Sequence, residues 1–95
     1  MKITKQQIIE MIKSPQKTAI LFYADWCDSC KGVMPLVENK QHQGHDFILI
    51  NESPETEKLS EGFDIQFYPT IVILGQNTSE KIVGEKKVQK YLNKL

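Results

Sequence analysis

The sequence predicts a single α/β domain over residues 1–95, with a mixed central sheet and helices on both faces. Short apolar runs typical of buried strands alternate with amphipathic stretches of helical period, which favours parallel strands joined by helical crossovers. The last two apolar runs are separated only by the turn Gly75 to Thr78, so they pair as an antiparallel hairpin. With 40% hydrophobic and 25% charged residues, the composition suits one ordinary globular core.

The predicted order of elements is (β)αβαβαββα. Their expected bounds, in chain order, are a leading strand of at most Met1 to Ile3, a helix from Thr4 to the breaker Ser14-Pro15, a strand Lys17 to Ala24, a helix from about Cys27 to about Lys40, a polar loop Gln41 to Asp46, a strand Phe47 to Ile50, a helix Glu55 to Glu61, an extended segment Phe63 to Thr70, strands Ile71 to Leu74 and Ser79 to Val83, and a helix Glu85 to Leu95.

Local signals set several element boundaries. Thr4 and Gln7 have the spacing of a capping box at the start of the first helix. Pro35 lacks an N–H and is expected to bend the second helix near Lys31 or Gly32, and Gly32 eases close packing there. Gly62 is expected to end the third helix at its C′ position.

Charge and hydropathy exclude several function classes. The twelve acidic and twelve basic residues cancel, and every basic residue is lysine, so we expect no nucleic-acid partner. The start of the chain never reaches the 7–15-residue apolar stretch of a signal peptide, and no run approaches a membrane-spanning length. We therefore expect a cytoplasmic monomer that does not associate with a membrane.

Chemistry concentrates at the two cysteines, Cys27 and Cys30, in the turn between the first firm strand and the second helix. The spacing C-x-x-C in a βα setting is the signal of a thiol–disulfide redox site. In a reducing compartment such a pair is catalytic or metal-binding rather than a structural staple. Cys27 begins the helix, where free amides and the positive dipole end favour a thiolate, and Cys30 lies one turn further along the same face.

The joint pattern resembles the thioredoxin family. The residues that carry the resemblance span most of the chain and are Phe22-Tyr23-Ala24-Asp25-Trp26-Cys27, Cys30-Lys31, Pro35, Tyr68-Pro69-Thr70 and Gly84. The resemblance implies a thioredoxin fold and a protein disulfide reductase that acts on protein disulfides with no bound cofactor. It also implies recharging by a flavoprotein thioredoxin reductase that uses NADPH. Tyrosine before the proline is shared with protein disulfide isomerase domains.

The resemblance assigns roles to the site residues. Cys27 attacks a disulfide, and Cys30 resolves the mixed disulfide that forms. The Tyr68–Pro69 bond is expected to be cis and to expose the Tyr68 backbone to a substrate peptide. An apolar docking surface around Cys27 is expected from Trp26, Tyr68, Val83 and Gly84.

Two departures from the usual thioredoxin pattern stand out. Asp28-Ser29 replaces the usual Gly-Pro between the cysteines, and we hypothesise that it tunes the redox potential: Asp28 opposes a thiolate while Lys31 favours one. The second departure is Leu21, where the family usually carries a buried aspartate paired with a lysine on the next strand. This predicts a more stable apolar core and slower or water-assisted deprotonation of Cys30, with Asp25 as the nearest substitute base.

Two alternatives remain open. The chain suits a specialised redox partner of one client, given Asp28-Ser29. In a different class, Cys27 and Cys30 would bind a soft metal such as Cu(I) in a docking module, although Pro69 beside the sulfurs argues against further ligands. His42 and His45 lie in the polar loop, a helix length from the motif, so we expect no zinc site.

Overall fold

The computed structural model describes residues 3–95. Five helices and four strands make up this part of the chain. They are α1 (Lys5–Lys13), β1 (Thr18–Tyr23), α2 (Asp28–Lys31), α3 (Met34–His42), β2 (Phe47–Asn51), α4 (Glu57–Gly62), β3 (Thr70–Gly75), β4 (Thr78–Val83) and α5 (Glu85–Asn93). None of the helices within residues 3–95 has the length and apolar character needed to cross a membrane.

The four strands form one mixed sheet in the order β2-β1-β3-β4. Strand β1 runs parallel to β2 and antiparallel to β3, and β3 and β4 form an antiparallel hairpin. The predicted α/β architecture is therefore confirmed. The leading strand falls partly on Met1 and Lys2, which lie outside the described residues, and Ile3 is not in a strand.

Alternation along β1 divides the core between the two faces of the sheet. Ala19 and Leu21 pack with Val33, Val88 and the neighbouring residues of α3 and α5. Side chains of the opposite parity pack toward α1 and α4, because successive side chains of a strand point to opposite faces. This second cluster comprises Ile20, Phe22, Ile50, Val72 and Leu74, with Ile8, Met11, Ile12, Leu59, Phe63, Ile65 and Tyr68 packed against it.

Two local predictions are confirmed in detail. Thr4 and Gln7 form both hydrogen bonds of the capping box, with N–H to Oγ1 and N–H to Oε1 distances of 3.1 and 2.8 Å between heavy atoms. The hairpin turns at Gln76 and Asn77, whose φ angles are 54° and 60°. Two successive positive φ angles define the turn that best matches the twist of paired strands.

The expected bend near Gly32 is a full break. The helix that the sequence predicts as one piece is divided into α2 and α3, because Pro35 has no N–H and its ring excludes a helical carbonyl one turn earlier. The amide of Val33 bonds the carbonyl of Cys30 at 3.0 Å, which closes the short helix. Helix α3 then continues to His42, into the segment expected to be a loop.

The prediction that Gly62 is the C′ residue of α4 is wrong by two positions. Gly62 is the last helical residue, and the left-handed position belongs to Asp64, with φ 54°. The Ile65 amide donates to the Ser60 carbonyl and the Asp64 amide to the Glu61 carbonyl, the paired bonds that end many helices. Aspartate tolerates this conformation better than most residues, and the chain after it bends rather than extending toward Pro69.

Candidate active site

The two cysteines lie where β1 leaves the sheet. The amide of Cys27 donates to the carbonyl of Ala24 at 3.2 Å, which closes a turn after the strand. Cys27 has an extended backbone and is the N-cap of α2, and its Sγ accepts a hydrogen bond from the Cys30 amide at 3.2 Å. Both residues are free thiols. The sequence pattern thus places a sulfur at the first free amides of a helical turn.

Cys27 and Cys30 differ in their exposure and in their contact with the neighbouring groove. Cys27 is 7% exposed and lines a groove of about 350 Å³, whereas Cys30 is 2% exposed and lies behind it. The thiol of Cys27 donates to the carbonyl of Tyr68 at 3.5 Å, across the groove floor. The groove is lined by Trp26, Cys27, Asp28, Ser29, Gln66, Phe67 and Tyr68.

The segment that faces the cysteines is held by the sheet. The Tyr68–Pro69 peptide bond is cis. The amide of Gly84 donates to the carbonyl of Pro69 at 2.9 Å, and Gly84 has φ 95°, a conformation that glycine adopts without steric cost. Val83 and Gly84 therefore lie beside Pro69 but, unlike Trp26 and Tyr68, do not line the groove.

Aromatic side chains form one wall of the groove. Trp26 and Tyr68 meet edge to face with ring centroids 5.7 Å apart, and Trp26 stays 69% exposed. Phe67, which sequence reasoning missed, is 64% exposed next to them. Its position directly before the Tyr-Pro pair was visible in the sequence, but an extended approach to Pro69 gave no reason to single it out. Exposed aromatic residues around a reactive group favour an apolar partner.

A larger groove of about 810 Å³ lies elsewhere, between the start of α1 and α4. Its lining includes Ile8, Leu59 and Phe63 but neither cysteine. Within residues 3–95 there is also no group of three or more histidine, cysteine, aspartate or glutamate side chains arranged to hold a metal ion. Nucleophilic chemistry needs the sulfurs, so we place the candidate site at the smaller groove.

Comparison with known proteins agrees with this geometry. The sequence matches the family model of thioredoxin over residues 1–95. The chain belongs to the thioredoxin family. It is 29% identical over 79 residues to Thioredoxin-T of Drosophila melanogaster, covering 79% of this chain and 50% of that protein. It is 35% identical over 80 residues to protein disulfide-isomerase of Saccharomyces cerevisiae, covering 78% of this chain and 15% of that protein.

Solved thioredoxins share the fold. Thioredoxin NaTrxh from Nicotiana alata superposes with a TM-score of 0.70 at 24% identity, covering 95% of this chain and 82% of that one. Fasciola hepatica thioredoxin superposes with a TM-score of 0.70 at 18% identity, covering 95% and 88%. The chain spans about half the length of Thioredoxin-T and a smaller part of the disulfide isomerase.

Within this thioredoxin fold the environment of Cys30 strongly disfavours its thiolate. Burial raises the pKa of Cys30 to about 12, and the hydrogen bond and negative charge of Cys27 add to the rise. The charge of Glu85 acts in the same direction, while a backbone hydrogen bond at Ala24 opposes it. Cys30 is therefore a protonated thiol until something removes its proton.

The residues between and after the cysteines are exposed. Lys31 Nζ and Asp28 Oδ1 are 3.4 Å apart, with side chains 74% and 96% exposed. Such a pair is screened by water and weak. The polar partners of Cys27 Sγ are the Cys30 amide and the Tyr68 carbonyl, and the exposed Ser29 hydroxyl is not among them.

Asp25, predicted as the nearest substitute base, is engaged on the other side of the turn. Its Oδ2 accepts a hydrogen bond from Asn51 Nδ2 at 3.1 Å, and its side chain is exposed. Leu21, which occupies the position of the usual buried acid, is fully buried among Val33, Ile71 and Val88. No lysine lies on β2, so neither partner of the usual buried ion pair is present within this strand pair.

A carboxylate that sequence reasoning did not consider lies against the break between α2 and α3. Glu85 is the first residue of that helix, and its Oε2 occupies the space that a Cβ on Gly32 would fill. Gln89 Nε2 donates to the Gly32 carbonyl at 3.3 Å. The sequence places Glu85 at a helix start after Gly84, but only the tertiary packing of α5 on the α2–α3 break brings it to Gly32.

Proposed function

We propose that this thioredoxin-family chain is a thiol–disulfide oxidoreductase that acts as a protein disulfide reductase. One observation carries the proposal. Two free thiols lie one helical turn apart, the first in contact with a groove and the second buried behind it. This is the arrangement that disulfide exchange through a mixed disulfide requires, since one sulfur must meet the client and the other must meet only the first sulfur.

The chemistry takes two exchange steps. The thiolate of Cys27 attacks one sulfur of a client disulfide, a Cys27–client disulfide forms, and the other client sulfur leaves as a thiolate. Cys30 then loses its proton and attacks Cys27 Sγ. The second client sulfur leaves with the electron pair and takes up a proton. The client gains two electrons and the enzyme is left with a Cys27–Cys30 disulfide.

The groove gives the client a place to dock. The carbonyl of Tyr68 lies 3.5 Å from Cys27 Sγ, so an extended client segment that pairs with the Tyr68 backbone brings its sulfur to Cys27. Phe67 and Trp26 add exposed aromatic surface beside that path. We infer that clients carry apolar side chains next to the disulfide they lose.

The remaining parts of the proposal concern the cellular setting. We propose that the protein works as a monomer in the cytoplasm without a bound cofactor, that a flavoprotein thioredoxin reductase recharges it with electrons from NADPH, and that it contributes to cell redox homeostasis and electron transport. The balanced charge and the family resemblance support these parts. A single dedicated client remains compatible with the same chemistry.

Insulin reduction with dithiothreitol as the electron source tests the proposal. We expect the wild-type chain to speed the precipitation of the reduced insulin B chain, and Cys27→Ser to lose that activity. Titration of the reduced protein with Cu(I) runs beside it. Tight Cu(I) binding by both thiols together with no insulin reduction would favour the metal-binding module and contradict the reductase.

A further inference from the structure

The docking segment, residues 63–69, connects α4 to β3 and carries one wall of the groove. Gln66, Phe67 and Tyr68 line that groove beside Cys27. Residues 63–69 belong to no helix or strand. The position of this wall relative to Cys27 therefore depends on tertiary contacts rather than on a regular ladder of hydrogen bonds. The role of the segment in client docking rests on the function proposed above.

The C-terminal end of the docking segment is held by the sheet. The Gly84 amide, directly after β4, donates to the carbonyl of Pro69 at 2.9 Å. Thr70, the first residue of β3, pairs with Val83 of β4 and is 1% exposed. Its hydroxyl donates to the carbonyl of Phe67 at 2.7 Å. This end of the segment is thus fixed by main-chain bonds and by a buried side chain.

The other end of the docking segment is held by a side chain of the same strand. Lys81 Nζ donates to the carbonyls of Phe63 and Asp64, each at 3.1 Å. Asp64 has φ 54°, and the chain turned in this way presents two consecutive carbonyls to one ammonium group. The Asp64 carboxylate lies 4.0 Å from Nζ but is 75% exposed, so this ion pair adds little. The two bonds from the charged donor to the carbonyls are the main attachment.

The register of the sheet explains why Lys81 reaches this turn. Lys81 pairs with Val72, and residues opposite each other on neighbouring strands project to the same face. Val72 belongs to the core cluster against which Phe63 and Ile65 pack. The lysine side chain is therefore on the face that carries the end of α4. The last carbonyls of a helix lack partners within the helix and attract a cation.

A further hydrogen bond connects this attachment to the groove lining. Gln66 Nε2 donates to Asp64 Oδ1 at 3.1 Å, and Gln66 lines the groove. Phe67 and Tyr68 follow it directly in the chain. Asp64 is therefore bonded to Lys81 through its carbonyl and to Gln66 through its carboxylate. A shift of the turn at Asp64 would move the groove wall.

We propose that Lys81 is a positioning residue for client docking. Its ammonium group holds the start of the docking segment to β4, so that Phe67 and the Tyr68 backbone keep the spacing to Cys27 that an extended client requires. Lys81 does not line the groove and acts on a client only through the segment that it holds. A protein client that pairs with the Tyr68 backbone depends on this attachment, whereas a small disulfide that meets only Cys27 does not.

Initial rates of insulin reduction at several insulin concentrations, with dithiothreitol as the electron source, test the proposal. Lys81→Met keeps an apolar stem of similar length but removes the ammonium group. We expect KM for insulin to rise about three- to tenfold, the equivalent of about 0.7–1.4 kcal/mol, with kcat changed by less than about twofold. Its rate with a small aliphatic disulfide should equal that of the wild type. The matched control is Lys17→Met, which removes the same charge from an exposed lysine just before β1, at the end of that strand away from Cys27.

A conservative variant and a local measurement separate positioning from a general loss of stability. Lys81→Arg retains a charged donor for the two carbonyls, so we expect it to restore KM to within about twofold of the wild-type value. In Lys81→Met, hydrogen exchange should become faster at the amides of Asp64 and Ile65, which bond the carbonyls of Glu61 and Ser60. Exchange along β3 should stay unchanged.

Several results would overturn the role of Lys81. They are an unchanged KM in Lys81→Met, an equal rise of KM in Lys17→Met, an equal loss of rate with insulin and with the small disulfide, and faster exchange along β3 as well. Absence of insulin reduction by the wild type would instead contradict the proposed function itself, and the role of Lys81 would fall with it.

Discussion

The two sulfurs of this small protein lie one helical turn apart, yet their surroundings are built from different parts of the fold. On the Cys27 side, the loop before β3 supplies a groove with a backbone carbonyl and exposed aromatic rings. Cys30 is 2% exposed and lies outside that groove, and the start of α5 packs Glu85 against Gly32, two residues after it. The comparison teaches that the groove beside Cys27 and the burial of Cys30 are separate features of the fold, so each can be changed by its own substitutions.

The largest expected effect comes from removing one of the two thiols at a time. Cys27→Ser should lower disulfide reduction by about a thousandfold or more, because the attacking thiolate is lost. In the Cys30→Ser variant, Cys27 should still attack the client disulfide. The reaction should then stop at a stable mixed disulfide at Cys27, which mass spectrometry detects. A stable adduct at Cys30 in the Cys27→Ser variant would contradict the distinction between the two sides.

The buried core around Leu21 should not tolerate a charged side chain. Leu21→Asp places an unpaired carboxylate in the core and should destabilise the protein by about 3–5 kcal/mol at neutral pH. Because burial raises the pKa of that carboxyl, stability should be higher at acidic pH and fall as pH rises. Leu21→Asn is the matched control without that pH dependence. Chemical denaturation at several pH values measures both, and equal pH profiles would contradict the account.

If Leu21→Asp leaves the pH profile of turnover unchanged, the missing acid has no role in catalysis.

Alkaline pH should lower the folding stability of the reduced protein, because Cys30 loses its proton there. The pKa of Cys30 is about 12 in the folded chain against an ordinary 9.0, so the folded state holds this proton more tightly than the unfolded state. The stabilisation is complete below pH 9 and is lost between about pH 9 and 12, at up to about 1.4 kcal/mol per pH unit. Tyr91, whose pKa burial also raises, contributes in the same direction. Cys30→Ala should flatten the profile and Tyr91→Phe should flatten it further; a Cys30→Ala profile as steep as that of the wild type would contradict the raised pKa.

The groove side should respond to loss of apolar surface. Phe67→Ala should raise KM for a protein client about 5- to 30-fold, which corresponds to about 1–2 kcal/mol of lost aromatic contact. Its reaction with a small aliphatic disulfide should be unchanged. Ile9→Ala, at an exposed apolar position on α1 away from the groove, is the control and should leave KM unaltered. Equal effects of the two variants would remove Phe67 from the docking surface.

The smallest expected effect belongs to the residues between the cysteines. Asp28 and Lys31 form an exposed pair, and such pairs are worth less than about 1 kcal/mol. The double change Asp28→Gly with Ser29→Pro should therefore move the reduction potential by about 4–20 mV, the equivalent of about 0.2–1 kcal/mol. Redox titration of the two proteins measures the difference, and equal potentials would remove the tuning hypothesis.

Most of the fold could be predicted from local motifs and from the periodicity of apolar residues. The capping box at Thr4 and the alternation along β1 were readable because each depends on neighbours in the sequence or on period-two burial. The end of α4 was not, because Gly62 and Asp64 both suit a left-handed position. Asp64 takes that position, and Ile65 after it packs against the core. The break at Gly32 exceeded the expected bend for a similar reason. The lost hydrogen bond at Pro35 can be predicted from the sequence, but the packing of α5 against Gly32 cannot.

The residues of the site also divide into those that a sequence motif indicates and those that only tertiary packing brings together. Cys27, Cys30, Trp26 and Tyr68 stand close together in a motif or beside a proline, and the structure brings all four to one place. Glu85 is far away in sequence and meets Gly32 only through the packing of Val88, so no spacing rule points to it.

A redox titration of the wild-type chain in dithiothreitol buffers tests the central claim most directly. The account predicts one reversible two-electron transition between a dithiol and an intramolecular Cys27–Cys30 disulfide, with thiol labelling of both residues lost together. Independent oxidation of the two thiols, or a disulfide that forms only between molecules, would contradict it.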